Sequence, residues 1–110
     1  MNDNMKKGTL QTDTIEDRTS LSPERERLAG IFKALGHPTR LKIVEYLIEI
    51  DKCVCGDIVG IFPFSQSTIS QHLKLLKESG IICGEVEGPK TYFCVDKAVL
   101  DQLKRYMKNL

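Results

Sequence analysis

The side chains of this sequence best equipped for chemistry are its four cysteines, Cys53, Cys55, Cys83 and Cys94. The run Cys53-Val54-Cys55 carries the most information, because two neighbouring thiolates can take one soft ion in concert or cycle between dithiol and disulfide. Any one of these thiols alone reads equally well as an inert, packed core residue. In a cytosolic chain, metal or redox chemistry is the expected use of four thiols, ahead of structural disulfides. The two histidines add little to this set. His37 precedes a proline at a helix start, where a structural role is expected. His72 lies beside an apolar helical stripe and reads as a packed imidazole. Neither has a partner at metal-ligand spacing, so the expected site is made of sulfur alone and suits a thiophilic ion.

A second cluster of functional residues runs from Ser65 to Gly80. At about 100° per residue, Ile69, Leu73 and Leu76 fall on one side, while Ser67, Ser70, Gln71 and Lys74 occupy the other. Ser65 is placed as N-cap and Gly80 as the residue that ends the helix. Short hydroxyl and amide side chains on one edge suit a helix laid in a DNA major groove, since they reach phosphates and base edges alike. Taken alone, the helix fits an ordinary solvated face as well. The preceding segment bears on the choice: Gly56 to Phe64 reads as a short helix cut off by Pro63, so that two helices and a tight turn form a helix-turn-helix. Beyond Gly80 the apolar pattern changes to period two, with Ile82, Gly84 and Val86 followed by Thr91, Phe93 and Val95 around Glu87-Gly88-Pro89-Lys90. That is a hairpin, and a hairpin in this position is a wing.

The other elements supply the core. Residues 1–20 are polar and without a helical stripe, and are expected to form a flexible arm; residues 21–110 are the folded domain. Ser22-Pro23-Glu24 starts a helix in which Leu28, Ile31, Phe32 and Leu35 share a face. In the helix after His37-Pro38, residues Leu41, Ile43, Val44, Leu47, Ile48 and Ile50 cover most of the circumference and leave Lys42, Glu45, Tyr46 and Glu49 outward. Asp96 caps a last helix with a stripe of Val99, Leu103, Tyr106 and Leu110, extended by Leu100 and Met107. A terminal amphipathic helix on so small a domain calls for another surface, either the first helix or a second copy. The formal net charge of +1 gives no global nucleic-acid signature, so DNA affinity would rest on local placement of Arg40, Lys42, Lys74, Lys77 and Lys90. No run is long and apolar enough for a membrane span or a signal peptide core, and a cytoplasmic protein is expected.

The run Phe32-Lys33-Ala34-Leu35-Gly36-His37-Pro38-Thr39-Arg40-Leu41-Lys42-Ile43, then Cys53-Val54-Cys55, then Ser65 to Gly80, then Glu87-Gly88 and Tyr92 resembles the ArsR/SmtB family of metal-responsive repressors. The resemblance spans roughly residues 24–108 and implies an α+β, mainly helical fold: a winged helix-turn-helix with a two-stranded wing and N- and C-terminal dimerisation helices. It further implies a homodimer that binds double-stranded operator DNA, is no enzyme, and lets go when a metal or metalloid binds or when its cysteines are modified. The DNA-facing residues would be Ser65, Gln66, Ser67, Thr68, Ser70, Gln71, Lys74 and Lys77, with Lys90 on the wing and Arg40. Arsenic-responsive members carry a third cysteine three residues after a Cys-Val-Cys run; here Ile58 stands in that place and Gly56 is an extra residue. Zinc, nickel and cobalt sensors place His and carboxylate ligands on the last helix, whereas residues 97–110 contain no histidine. The inducer expected is As(III) or Sb(III), then Cd(II) or Pb(II), with no permanent cofactor. A thiol-redox or persulfide-responsive repressor and a DNA-binding regulator without effector are the alternatives.

Strand parity supplies the missing ligand. With Glu87 opposite Lys90 across the wing turn, Cys83 stands across from Cys94. Ile82, Val86, Phe93 and Val95 share the apolar face, which puts both cysteines on the other. Winged-helix folds commonly add a short strand before the helix-turn-helix, beside the second wing strand. If Cys53-Val54-Cys55 is that strand and Val54 points inward with Phe93, all four sulfurs lie on one side of a three-stranded sheet.

Overall fold

The computed structural model describes residues 20–55 and 60–110. The expected arm up to residue 19 and the start of the short helix, residues 56–59, lie outside the described residues. Helix α1 runs Pro23–Leu35, with the Ser22 hydroxyl accepting from the Arg25 N–H at 3.2 Å, Pro23 in the first turn, and Glu24 and Glu26 near the positive end of the helix dipole. Helix α2 runs Pro38–Ile50 and is capped by the imidazole of His37, whose Nδ1 accepts from the Thr39 N–H at 3.1 Å. The structural role read for His37 is therefore that of an N-cap. Asp51 ends α2 in the left-handed region at φ 51°, a conformation that Asp tolerates better than bulkier residues.

Strand β1 (Val54–Cys55) follows, and residues 60–61 form a 3₁₀ turn in place of the expected end of a helix. Phe62 then packs edge-on to Tyr46, ring centroids 6.2 Å apart. Helix α3 spans Gln66–Ser79 between Ser65, whose Oγ accepts from the Thr68 N–H, and Gly80 at φ 92°. Strands β2 (Ile82–Glu87) and β3 (Lys90–Val95) form the wing, and α4 (Lys97–Lys108) closes the chain with the Asp96 carboxylate accepting from the Val99 N–H. At the wing turn Gly88 has φ 63° and Pro89 is held by its ring at negative φ, the sign pattern of a type II′ hairpin.

The sheet is antiparallel in the order β1-β3-β2, so β3 is the centre. Its register has Glu87 opposite Lys90, Cys83 opposite Cys94, and Val54 opposite Phe93. Parity along the wing is as the turn dictated. The core is one cluster in which Ile31, Ile43, Leu47, Ile69, Leu76, Ile81 and Ile82 are fully buried, so α3 is fastened to α1, α2 and the root of the wing by its own apolar stripe. The stripes are narrower than the sequence suggests. On α2, Leu41 and Ile48 are exposed while Tyr46 packs on the core; on α1, Phe32 is partly exposed; Val86, Met107 and Leu110 lie in the open. A single copy of so small a domain lacks the second layer that would cover those residues.

Candidate functional site

The polar edge of α3 is solvent-facing: Gln66, Ser67, Ser70, Gln71, Lys74 and Lys77 are all exposed. Ser65 and Thr68 are engaged with each other, the Ser65 hydroxyl donating to Thr68 Oγ1 at 3.0 Å while accepting from the Thr68 N–H. They hold the helix start together with Ser67, whose hydroxyl lies 3.2 Å from Ser65 Oγ, and leave Gln66, Ser70 and Gln71 as the free hydrogen-bonding groups. Between α3 and the wing lies a groove of about 510 Å³ bordered by Gln66, Ser70, Lys74, Lys77 and Lys90. Three ammonium groups and two short polar side chains along one concave edge are what a phosphate backbone needs. Lys77 is placed by a glycine: a Cβ at Gly84 would meet Lys77 Cε and Nζ at 3.3 Å, so the lysine stem lies against bare backbone of β2.

Arg40 has a different position from the one expected of a phosphate contact. Its Nε donates to the Ala34 carbonyl at 2.6 Å, one of the carbonyls left over at the end of α1, and its Nη1 is 3.5 Å from His72 Nδ1. The guanidinium is half-buried and ties α1 to α2 and α3. His72 is the packed imidazole that its place beside the stripe suggested, lying against His37 with ring centroids 4.7 Å apart and the rings tilted by 42°. Burial, then the neighbouring His37, then Arg40 push its pKa below the ordinary value, so at neutral pH it is uncharged and Nδ1 can accept from Arg40. This junction of Ala34, His37, Arg40 and His72 was missed as a unit in the sequence, because its members come from three helices and share no spacing.

The cysteines divide. Cys53, just before β1, is joined by a disulfide to Cys94 on β3, with Cα atoms 4.3 Å apart. Cys83 stands opposite Cys94 on the far side and its Sγ donates to the Cys94 carbonyl at 3.5 Å. Cys53, Cys94 and Cys83 thus form a row across the sheet. Cys55 is free and half-buried, and borders the groove beside α3 instead of the cavity that Cys53 and Cys94 line. A strand of two residues is too short to enforce alternation, and the chain leaves the sheet at Cys55. Among the described residues, no three His, Cys, Asp or Glu side chains are grouped to hold an ion. Of the four sulfurs expected on one side of the sheet, Cys53 and Cys83 thus flank Cys94, the first bonded to it, while Cys55 is a separate thiol.

Among the described residues, no helix is long and apolar enough to cross a membrane. Residues 37–83 match the family model described as bacterial regulatory protein, arsR family, a span from the cap of α2 to Cys83. An uncharacterized HTH-type transcriptional regulator of Methanocaldococcus jannaschii is 43% identical over 81 residues, which is 72% of this chain and 90% of that protein. A cadmium resistance transcriptional regulatory protein CadC homolog of Staphylococcus aureus is 42% identical over 77 residues, 69% of this chain and 63% of that one. Among solved structures, an ArsR-like transcriptional regulator from Rhodococcus sp. RHA1 superposes with a TM-score of 0.70 at 22% identity, covering 80% of this chain and 82% of the other. A recognition helix with a free polar edge, a lysine-bordered groove under a wing, and these relatives lead to one conclusion: the chain belongs to the arsR family of winged helix-turn-helix, DNA-binding transcriptional regulators and is not an enzyme.

Proposed function

We propose that the chain is a homodimeric repressor that grips operator DNA with α3 and the wing and releases it when a thiophilic ion is taken by its cysteine thiolates, As(III) or Sb(III) ahead of Cd(II) or Pb(II). The observation that carries the reading is the row Cys53–Cys94–Cys83, in register across the sheet whose outer strands lead to the recognition helix on one side and the wing on the other. The donors fit a soft ion: they are sulfur alone, and two of them are close enough to bond. Reduced, the row offers the adjacent thiolates of Cys53 and Cys94, and Cys83 would have to turn in from the Cys94 carbonyl to complete the three that a trivalent metalloid takes; a four-coordinate ion such as Cd(II) would need Cys55 turned in from the groove as well. The name of one relative, a cadmium resistance transcriptional regulatory protein CadC homolog, supports a soft-metal inducer. Exposed Phe32 and Met107 and the half-buried Tyr106 support pairing of α1 and α4 with a second copy, since they form the apolar remainder of those helices.

The test is operator binding by fluorescence anisotropy with fully reduced protein. Arsenite at saturation should weaken binding by a factor of about 5 to 150, the usual span of such coupling. Cys94→Ser should bind DNA normally and ignore arsenite. Unchanged affinity with arsenite, antimonite, cadmium and lead would end the metal reading. One observation favours a second reading, the bond between Cys53 and Cys94: a repressor that responds to thiol oxidation through that pair. Comparing oxidised with reduced protein on the same operator, without metal, separates the two.

A further inference from the structure

The disulfide opens onto a cavity that the DNA-binding face does not use. The cavity has a volume of about 490 Å³ and lies between the end of α2, the sheet and the start of α4. Leu47, Val95 and Leu100 give it an apolar floor, and Cys53 and Cys94 form one wall. Its rim is charged. Lys97 is held to Asp51 at 2.7 Å and is neutralised by it. What remains is Lys52 and Lys104 against the single carboxylate of Asp101, a surplus of cation around the same cavity that the sulfur pair borders. Cys53 is the exposed member of the pair and Cys94 the half-buried one, so a reagent entering from solvent meets the Cys53 sulfur first.

The geometry points to this cavity as a binding site for a low-molecular-weight thiol bearing an anionic group, a carboxylate or sulfonate, which reduces the Cys53–Cys94 disulfide. The anion sits on Lys52 and Lys104 and the short carbon chain on the apolar floor, which brings the sulfur to the wall. The chemistry balances with two equivalents of that thiol. A first thiolate attacks Cys53 Sγ, forming a mixed disulfide and expelling the Cys94 thiolate. A second thiolate attacks the sulfur of the bound reagent, leaving as the oxidised reagent disulfide and freeing the Cys53 thiolate. Two electrons pass from the two reagent thiols to the protein pair. The inference rests on the redox reading of that pair and adds the class of molecule that resets it.

Oxidised full-length protein is mixed with 3-mercaptopropionate, and separately with 2-mercaptoethanol, and the appearance of alkylatable Cys53 and Cys94 is followed by mass spectrometry. Rates are compared per thiolate and corrected for the remaining dependence of nucleophilicity on thiol pKa, a Brønsted slope of about 0.4 to 0.5. With two lysines against one aspartate, the anionic reagent should be faster by about five- to tenfold at low salt, falling toward parity at about 1 M salt. The double variant Lys52→Gln, Lys104→Gln should lose most of that preference, while Lys33→Gln, on α1 outside the cavity, should keep it. Equal rates for the two reagents in the parent protein, or a preference that survives the double substitution, overturns the site. Operator affinity of oxidised and reduced samples is measured alongside and judges the redox reading by itself. The reagent preference is read on the disulfide whatever the DNA does.

Discussion

Replacing Arg40 by methionine distinguishes a strut from a phosphate contact. The side chain is half-buried, and its Nε donates at 2.6 Å to the Ala34 carbonyl, which no turn of α1 can satisfy. A hydrogen bond from a charged donor is worth about 1.5 to 3 kcal/mol. Water can reach part of this junction once the guanidinium is gone, which lowers the expected loss to about 1 to 2 kcal/mol. The 3.5 Å approach to His72 is long and adds little. For a folded region of this size the loss corresponds to a fall in Tm of about 5 to 15 °C. Thermal unfolding by circular dichroism at one fixed protein concentration measures it, because a dimer's Tm depends on concentration. Methionine keeps the apolar stem of arginine and loses only the guanidinium end, which limits the packing lost in the comparison. Arg40→Lys should recover part of the loss, since an ammonium can also donate to a single carbonyl. An unchanged Tm together with weakened operator binding in Arg40→Met would refute the reasoning and return Arg40 to the DNA face.

Gln71→Ala, which removes an exposed amide from the recognition edge, should weaken the specific operator by about 1 to 3 kcal/mol and leave non-specific DNA unaffected; equal loss on both would show that Gln71 does not read bases. Lys77→Ala should weaken binding to every sequence and lower the slope of log affinity against log salt by about 0.9. Gly84→Val should reproduce the Lys77→Ala phenotype in a folded protein, since the new side chain takes the space of the Lys77 stem; normal salt dependence in a folded Gly84→Val would sever that link. His72 has a folded-state pKa below its ordinary 6.5 because of burial, then His37 and Arg40, so its stabilising effect is complete above about pH 6.5 and is lost as pH falls through the lowered value. Urea unfolding across that range should therefore show stability falling on acidification, and His72→Gln should flatten the curve; identical curves would place the acid sensitivity elsewhere.

Local rules made much of this chain legible. Ser22 with Pro23, Ser65, Gly80 and Asp96 mark helix ends by chemistry confined to a few residues, and each ends a helix where the sequence puts it. The pairing of Cys83 with Cys94 follows from the wing turn because side chains alternate with period two, so one fixed pair fixes the rest. Tertiary geometry was not legible in the same way. Arg40 reads as a surface cation until Ala34 is brought beside it, and the tilted His37–His72 pair joins the cap of one helix to the side of another. Leu41 and Ile48 look like core because α2 is apolar on most of its circumference, yet the domain buries only part of that surface. Parity placed Cys53 beside Cys94, while Cys55 escaped it because the strand ends there.

The wing is anchored at one end only. Cys94 sits at its root in the middle strand, and Lys90 stands four residues outward at the tip, about 13 Å away at the rise of an extended chain. A strand held this way acts as a lever with its fulcrum among the sulfurs. Tilting β3 by about 10° at Cys94 would carry the Lys90 end through about 2 Å, several times the spread of about 0.5 Å over which a hydrogen bond keeps its strength. Chemistry at the root, whether a bond made, a bond broken or an ion bound, thus needs only a small angular change to be felt at the Lys90 tip, the end of the wing proposed to meet DNA.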